Sequence, residues 1–125
     1  MLLRRFVLAL AAWREGRGEP LAGKRLIAQV IENRVTDPRW PDTYVSVITQ
    51  PWQFSAFNKN DPNALLFPAE HDAAWPACVE AADVVLSAPL ALTNANHYHV
   101  IGLTPNWARP TKEVARAGRH VFYNL

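Results

Sequence analysis

The sequence predicts a mostly helical α+β domain with a small β-sheet or hairpin late in the chain. Apolar residues recur at helical spacing over the first third and again from Asp72 to Ser87. Prolines, asparagines and aromatics crowd the stretch from Pro51 to Pro68, which reads as irregular. Aromatic and β-branched residues then take over at Asn96–Ile101 and His120–Tyr123, which read as short strands. A chain of 125 residues, half of them hydrophobic, suits one domain, residues 1–125, built on one core.

The first helix is predicted over Leu3–Arg14. Gly16 and Gly18 end it, because glycine brings a backbone freedom that a helix interior does not want. Residues 1–12 also have the look of a secretory signal: Arg4 and Arg5, a short apolar middle, and small residues near Ala12. Cleavage there would remove the helix in front of Glu15, so the segment is read as structural. The protein is then expected to be made in the cytoplasm without a convincing export signal. Pro20 fits the first position of a second helix, with Glu19 just before it at the positive end of the helix dipole. In that helix Leu26, Ile27, Val30 and Ile31 make an apolar face, and Thr36-Asp37-Pro38 ends it. Pro41 and Asp42 announce a short helix, Thr43–Thr49, with Tyr44, Val47 and Ile48 inward. The long helix Asp72–Ser87 is apolar at Ala74, Cys78, Ala81, Ala82 and Val85, with Trp75-Pro76 in its first turn.

The formal net charge is +2, and the positive residues are scattered, which gives no footprint for nucleic acid. No apolar run approaches the roughly 20 residues of a membrane span, so no stable membrane insertion is expected. Cys78 is the only cysteine, which rules out an intrachain disulfide and suggests a buried, inert thiol. A monomer without cofactor is expected.

Four blocks, taken in order, resemble the bacterial and phage cell wall hydrolases of the spore cortex-lytic type. They are Glu15-Gly-Arg-Gly-Glu-Pro-Leu-Ala-Gly-Lys; Val30-Ile-Glu-Asn-Arg-Val followed by Pro41-Asp-Thr; Gln53-Phe-Ser-Ala; and Asn94-Ala-Asn-His-Tyr-His with Pro105-Asn-Trp-Ala and Gly118-Arg-His-Val-Phe-Tyr. The family usually has alanine at Gly16, and threonine is common at Asn96. The resemblance spans nearly the whole chain. It implies a lysozyme-like fold acting on bacterial peptidoglycan, with Glu15 as catalytic acid in a lytic transglycosylase. It also implies a stand-alone catalytic unit without a wall-binding domain, as in small phage endolysins.

The residues give this chemistry a physical basis. Breaking a glycosidic bond needs a proton on the leaving oxygen and stabilisation of an oxocarbenium-like centre. A glutamate partly buried against apolar groups can hold that proton near neutral pH. From its surroundings alone, Glu15 reads equally as a helix-end carboxylate paired with Arg14 or Arg17; the four blocks favour catalysis. Glu19 reads as a helix-capping charge or a partner of Arg17 or Lys24, ahead of a second catalytic carboxylate. A glycan groove alternates aromatics with hydrogen-bonding side chains, which points to Gln53, Phe54, Ser55, Asn96, His97, Tyr98 and Trp107 as substrate contacts. Ser55 or Tyr98 would supply a hydroxyl near the cleavage point. Phe122 reads as core. Asn33 and Arg34 are expected to brace the site, Arg34 by pairing with a carboxylate of the first block, and His120 to support it. The rival is zinc held by His97, His99 and His120 in an amidase or peptidase, since residues two apart on a strand share a face. It lacks a His-Glu-x-x-His motif or a cysteine pair, so no metal is expected. The remaining rival is a glycan-binding module without catalysis, which would not need Glu15.

Overall fold

The computed structural model describes residues 2–50, 54, 57 and 60–125. Helices α1 (Leu2–Gly16), α2 (Leu21–Val35), α3 (Tyr44–Ile48) and α4 (Trp75–Ser87) precede strands β1 (His97–Val100), β2 (Glu113–Ala117) and β3 (His120–Tyr123). Helix α1 is buried all round from Val7 to Arg14, as expected of a helix with no polar stripe in its middle. It packs against Ile27, Val30 and Ile31 of α2 and against Cys78, Ala82 and Val85 of α4. Each fully buried large aliphatic side chain in this core contributes about 1.5–3 kcal/mol, so residues 7–13 are structural in this fold. Burial pushes the Cys78 thiol up to about 11, which leaves it protonated and inert at neutral pH.

The element boundaries shift from the sequence expectation in ways that matter for function. Helix α1 continues through Gly16. A Cβ there would stand 2.6 Å from Ile27 Cδ1, so the missing side chain lets α2 approach the last turn of α1. Glu15 therefore sits within a rigid helical turn. Pro20 is the residue before α2, and the turn closes through Glu19 N–H donating to Gly16 O at 2.9 Å. Helix α3 is one residue shorter at each end because Thr43 is its cap, its Oγ1 accepting from Ser46 N at 3.1 Å. Helix α4 begins three residues later than expected. The Asp72 carboxylate instead accepts from Ala74 N at 2.9 Å and from Trp13 Nε1 at 3.1 Å, tying this turn to α1.

The late part of the chain forms a three-stranded antiparallel sheet in the order β1-β3-β2. The central strand β3 is buried along its whole length. Strand β2 was not expected from the sequence. Its residues alternate between half-buried and exposed, a register irregularity falls between Glu113 and Ala115, and it lies at an edge. Gly118 makes the β2–β3 turn with φ +55°, where a side chain is disfavoured. The pairing Tyr98↔Phe122 and Val100↔His120 puts these residues on one face, and His97, His99, Val121 and Tyr123 on the other. Among the described residues, no helix is long and apolar enough to cross a membrane.

Candidate active site

Glu15, in the last turn of α1, is half-buried at the wall of an open cavity of about 590 Å³, lined by Arg14–Glu19, Val100, Arg119 and His120. The rigid turn carries Glu15 to the sheet, where the Tyr98 hydroxyl donates to its Oε1 at 2.6 Å. Tyr98 is itself held by rings: Phe122 at 5.5 Å, His120 at 5.3 Å and Phe54 at 6.2 Å between centroids. Burial and the neighbouring Glu15 carboxylate raise the Tyr98 phenol well above its ordinary pKa, so it remains a donor at any physiological pH. The pair aims a carboxyl group of fixed orientation into a cavity, the arrangement that general acid–base chemistry needs.

Glu19 has a different environment. Its side chain is 8% exposed and its Oε1 accepts from His120 Nδ1 and, at 2.9 Å, from the Arg119 backbone N–H. Lys24 Nζ reaches the Glu19 carbonyl, not its carboxylate. The expected pairing with Arg17 or Lys24 is thus replaced by a buried pair with His120. Gly118 makes room for it: a Cβ there would lie 2.7 Å from Glu19 Oε2 and from Pro20 Cδ.

Arg34 and Asn33 brace the site from the end of α2. Arg34 Nε donates to Asn96 O at 2.7 Å, and its guanidinium lies over the rings of Trp40 and Phe54. Burial brings its pKa down to about 10, still charged at neutral pH. Its Nε thus fastens a backbone carbonyl at the start of β1. Asn33 Nδ2 donates to Thr93 O and Ala95 O at 2.9 and 2.8 Å, fixing the approach to β1.

Several expected substrate contacts are placed elsewhere. Phe54 is 1% exposed and belongs to the core, where it packs beneath Tyr98 and cannot meet a glycan. Asn96 is buried; its Nδ2 donates to Leu125 O and its Oδ1 accepts from Leu125 N, so it fastens the C-terminal end. His97 and Trp107 meet in a tilted pair, 5.0 Å between centroids, on the face of β1 away from Tyr98, and Trp107 also meets His99 and Tyr123. Gln53 and Ser55 lie outside the described residues. The zinc grouping is not assembled. His97 and His99 share a face, but His120 projects from the opposite one beside Tyr98. Among the described residues no cluster of histidine, cysteine and carboxylate side chains is arranged to hold a metal.

The family model for cell wall hydrolases matches residues 18–123 of this chain. The chain belongs to the cell wall hydrolase family. Curated relatives of the chain include the spore cortex-lytic enzymes of Halalkalibacterium halodurans, 29% identical over 94% of the chain, and of Bacillus subtilis, 28% identical over 93%. The chain spans 34% and 36% of the length of these two relatives. Two solved domains share its fold. One is the catalytic domain of the Bacillus cereus SleB protein, at TM-score 0.74 and 30% identity over 99% of this chain and 91% of that one. The other is the catalytic domain of the germination-specific lytic transglycosylase SleB from Bacillus anthracis, at TM-score 0.74 and 31% identity over 99% and 96%. The family match begins at Gly18, just past Glu15, whereas both structural likenesses take in α1.

Two features of the cavity are not legible in the sequence. Glu19 and His120 lie 101 residues apart and meet only once the sheet folds back on the α1–α2 turn. Arg14 entered only as a possible partner of Glu15. It is instead a buried wall residue, held by Leu66 O and by the rings of Phe57 and Phe67. No local pattern signals either one.

Proposed function

We propose that this chain cleaves the glycan of bacterial peptidoglycan between N-acetylmuramic acid and N-acetylglucosamine as a lytic transglycosylase. Glu15 protonates the leaving oxygen, and the glycosidic bond breaks through an oxocarbenium-like centre. The muramic acid's own 6-hydroxyl then attacks that centre. Glu15, now a carboxylate, takes the hydroxyl proton, and a 1,6-anhydro end is left. The observation that carries this reading is the contrast between the two carboxylates of the cavity. Glu15 faces the space with its orientation fixed by Tyr98, while Glu19 is buried against His120 and the Arg119 amide. A transglycosylase needs one acid that later serves as base and no second carboxylate to activate water. Membership of the family and the likeness to a lytic transglycosylase domain support the same reading. The site of action is the cell wall, and the protein works as a monomer on a polymeric substrate without metal or cofactor.

The decisive experiment is mass spectrometry of soluble products from purified peptidoglycan, with Glu15→Gln at matched melting temperature as control. Anhydro-muropeptides from the native protein and none from the variant are expected. Reducing-end saccharides would replace 6-hydroxyl attack by water attack. Intact strands with cut stem peptides, or full activity of Glu15→Gln, would overturn the glycosidase mechanism.

A further inference from the structure

The wall of the cavity beside Glu15 carries more positive charge than acid–base chemistry requires. Arg14, Arg17 and Arg119 line it together with Glu15 and Glu19, and the Glu19 charge is turned inward against His120. Arg14 is the unusual member. It is only 9% exposed, yet among the described residues no carboxylate pairs with it. Its Nε donates to Leu66 O at 2.9 Å, and its guanidinium is stacked against Phe57 and Phe67, each ring centroid 4.8 Å away. Burial without a compensating anion lowers its pKa, a cost that the fold accepts at this position. Arg17 stands alongside with its guanidinium over the Trp13 ring at 4.4 Å. Arg17 Nη2 donates to the Asn63 side chain at 2.9 Å, and here too no carboxylate pairs with it.

A planar guanidinium clamped by two rings is preorganised to receive a carboxylate through parallel N–H donors, so little side-chain entropy remains to be lost on binding. Exposed arginines normally have their donors in water; Arg14 is buried on the cavity wall, and of its donors the Nε is committed to Leu66 O. A neutral sugar ring offers no anion to such a group. The carboxylates of a peptidoglycan strand lie on its peptide stems and, where the stem has been removed, on the lactyl arm of muramic acid.

We propose that Arg14, assisted by Arg17, forms a carboxylate-binding subsite next to Glu15 that takes the anionic arm of the muramic acid unit and so sets which sugar occupies the cleavage position. This rests on the glycosidase reading above. It adds a specificity device that distinguishes muramic acid, which bears a carboxylate-carrying arm, from N-acetylglucosamine, which does not.

The test compares soluble glycan strands in three forms with the native protein: stem peptides intact, the same strands with their carboxyl groups amidated, and strands stripped of peptide so that the lactyl carboxylate is free. If a stem carboxylate is the ligand, amidation is expected to raise KM about tenfold with a smaller change in kcat, the size of one charge-assisted contact; if the lactyl carboxylate is, the stripped strands should show a KM about tenfold below both peptide-bearing forms. Whichever carboxylate-bearing form keeps the low KM identifies the stem or the lactyl group as the ligand. In Arg14→Gln the KM ratio between the strands lacking and the strands bearing the recognised carboxylate should fall towards one, and Arg14→Lys should recover part of it. Equal KM for all three forms with the native protein would overturn the subsite while leaving the glycosidase reading intact, and this comparison needs no variant to fold. An undiminished ratio in a folded Arg14→Gln would overturn it as well. Failure to cleave any of the strands would overturn the glycosidase reading and the subsite with it.

Discussion

The Tyr98 hydroxyl donates to Glu15 Oε1 at 2.6 Å, joining the last turn of α1 to the first strand of the sheet. The bond crosses 83 residues of sequence and sets the direction in which Glu15 presents its carboxyl group. Tyr98→Phe keeps the ring contacts with Phe54, His120 and Phe122 and removes only the hydroxyl. A hydrogen bond to a charged group contributes about 1.5–3 kcal/mol, so kcat for glycan cleavage should fall roughly 10- to 100-fold. Circular dichroism and melting temperature should remain near native. An unchanged kcat in a folded variant would show that Glu15 needs no help from Tyr98.

Glu19→Gln separates structure from chemistry at the neighbouring carboxylate. The pair with His120 is buried and also receives the Arg119 amide. Replacing the charge should cost about 1–3 kcal/mol of folding stability, read by denaturant titration, while turnover per folded molecule stays within a few-fold of native. A variant of native stability that makes no product would instead identify Glu19 as a second catalytic carboxylate, and reducing-end products from the native protein would go with it.

Gly118→Ala tests the same pair through the backbone. Its φ of +55° disfavours any L side chain, and the added methyl would meet Glu19 Oε2 and Pro20 Cδ at 2.7 Å. The left-handed conformation alone costs about 1–2 kcal/mol, and the clash pushes Glu19 away from His120. The expected result is a lower melting temperature together with a loosened β2–β3 turn, seen as faster amide exchange at Arg119. A melting temperature equal to native would mean that the turn can relocate without cost.

The part of this site that was legible in the sequence is the part made by local spacing. Apolar periodicity placed α1 and α2, and the glycines and proline between them placed Glu15 at a helix end. The sequence offers Ser55 or Tyr98 as a hydroxyl near the cleavage point, and the structure puts the Tyr98 hydroxyl against Glu15. The rest depends on which face of a strand a residue occupies. The rival grouping of His97 with His120 around a metal needs both on one face, and the register Val100↔His120 puts them on opposite faces. Phe54 looked like a sugar platform because it lies in an irregular, polar stretch, but Tyr98 and Arg34 cover it. Strand β2 is not legible because a short edge strand with an irregular register and charged residues at Glu113 and Arg116 carries no continuous apolar run.

His97 makes the pH dependence of stability predictable in sign. Burial together with the nearby Arg34 and Arg39 charges lowers its pKa to about 4, and its ring lies between Trp40 and Trp107. In the unfolded chain the imidazole takes a proton near pH 6.5. Between those two values the unfolded state therefore binds more protons than the native state, so stability rises with pH across the window. Lowering the pH from about 6.5 to about 4 should steadily destabilise the fold, with no further contribution from this group below the lower value. The ring is only half-buried, so solvent screening makes the loss smaller than the full shift would imply. His97→Gln removes the titration and should flatten the slope of melting temperature against pH between pH 6.5 and 4. Parallel slopes in the variant and the native protein would mean that some other group carries the acid sensitivity.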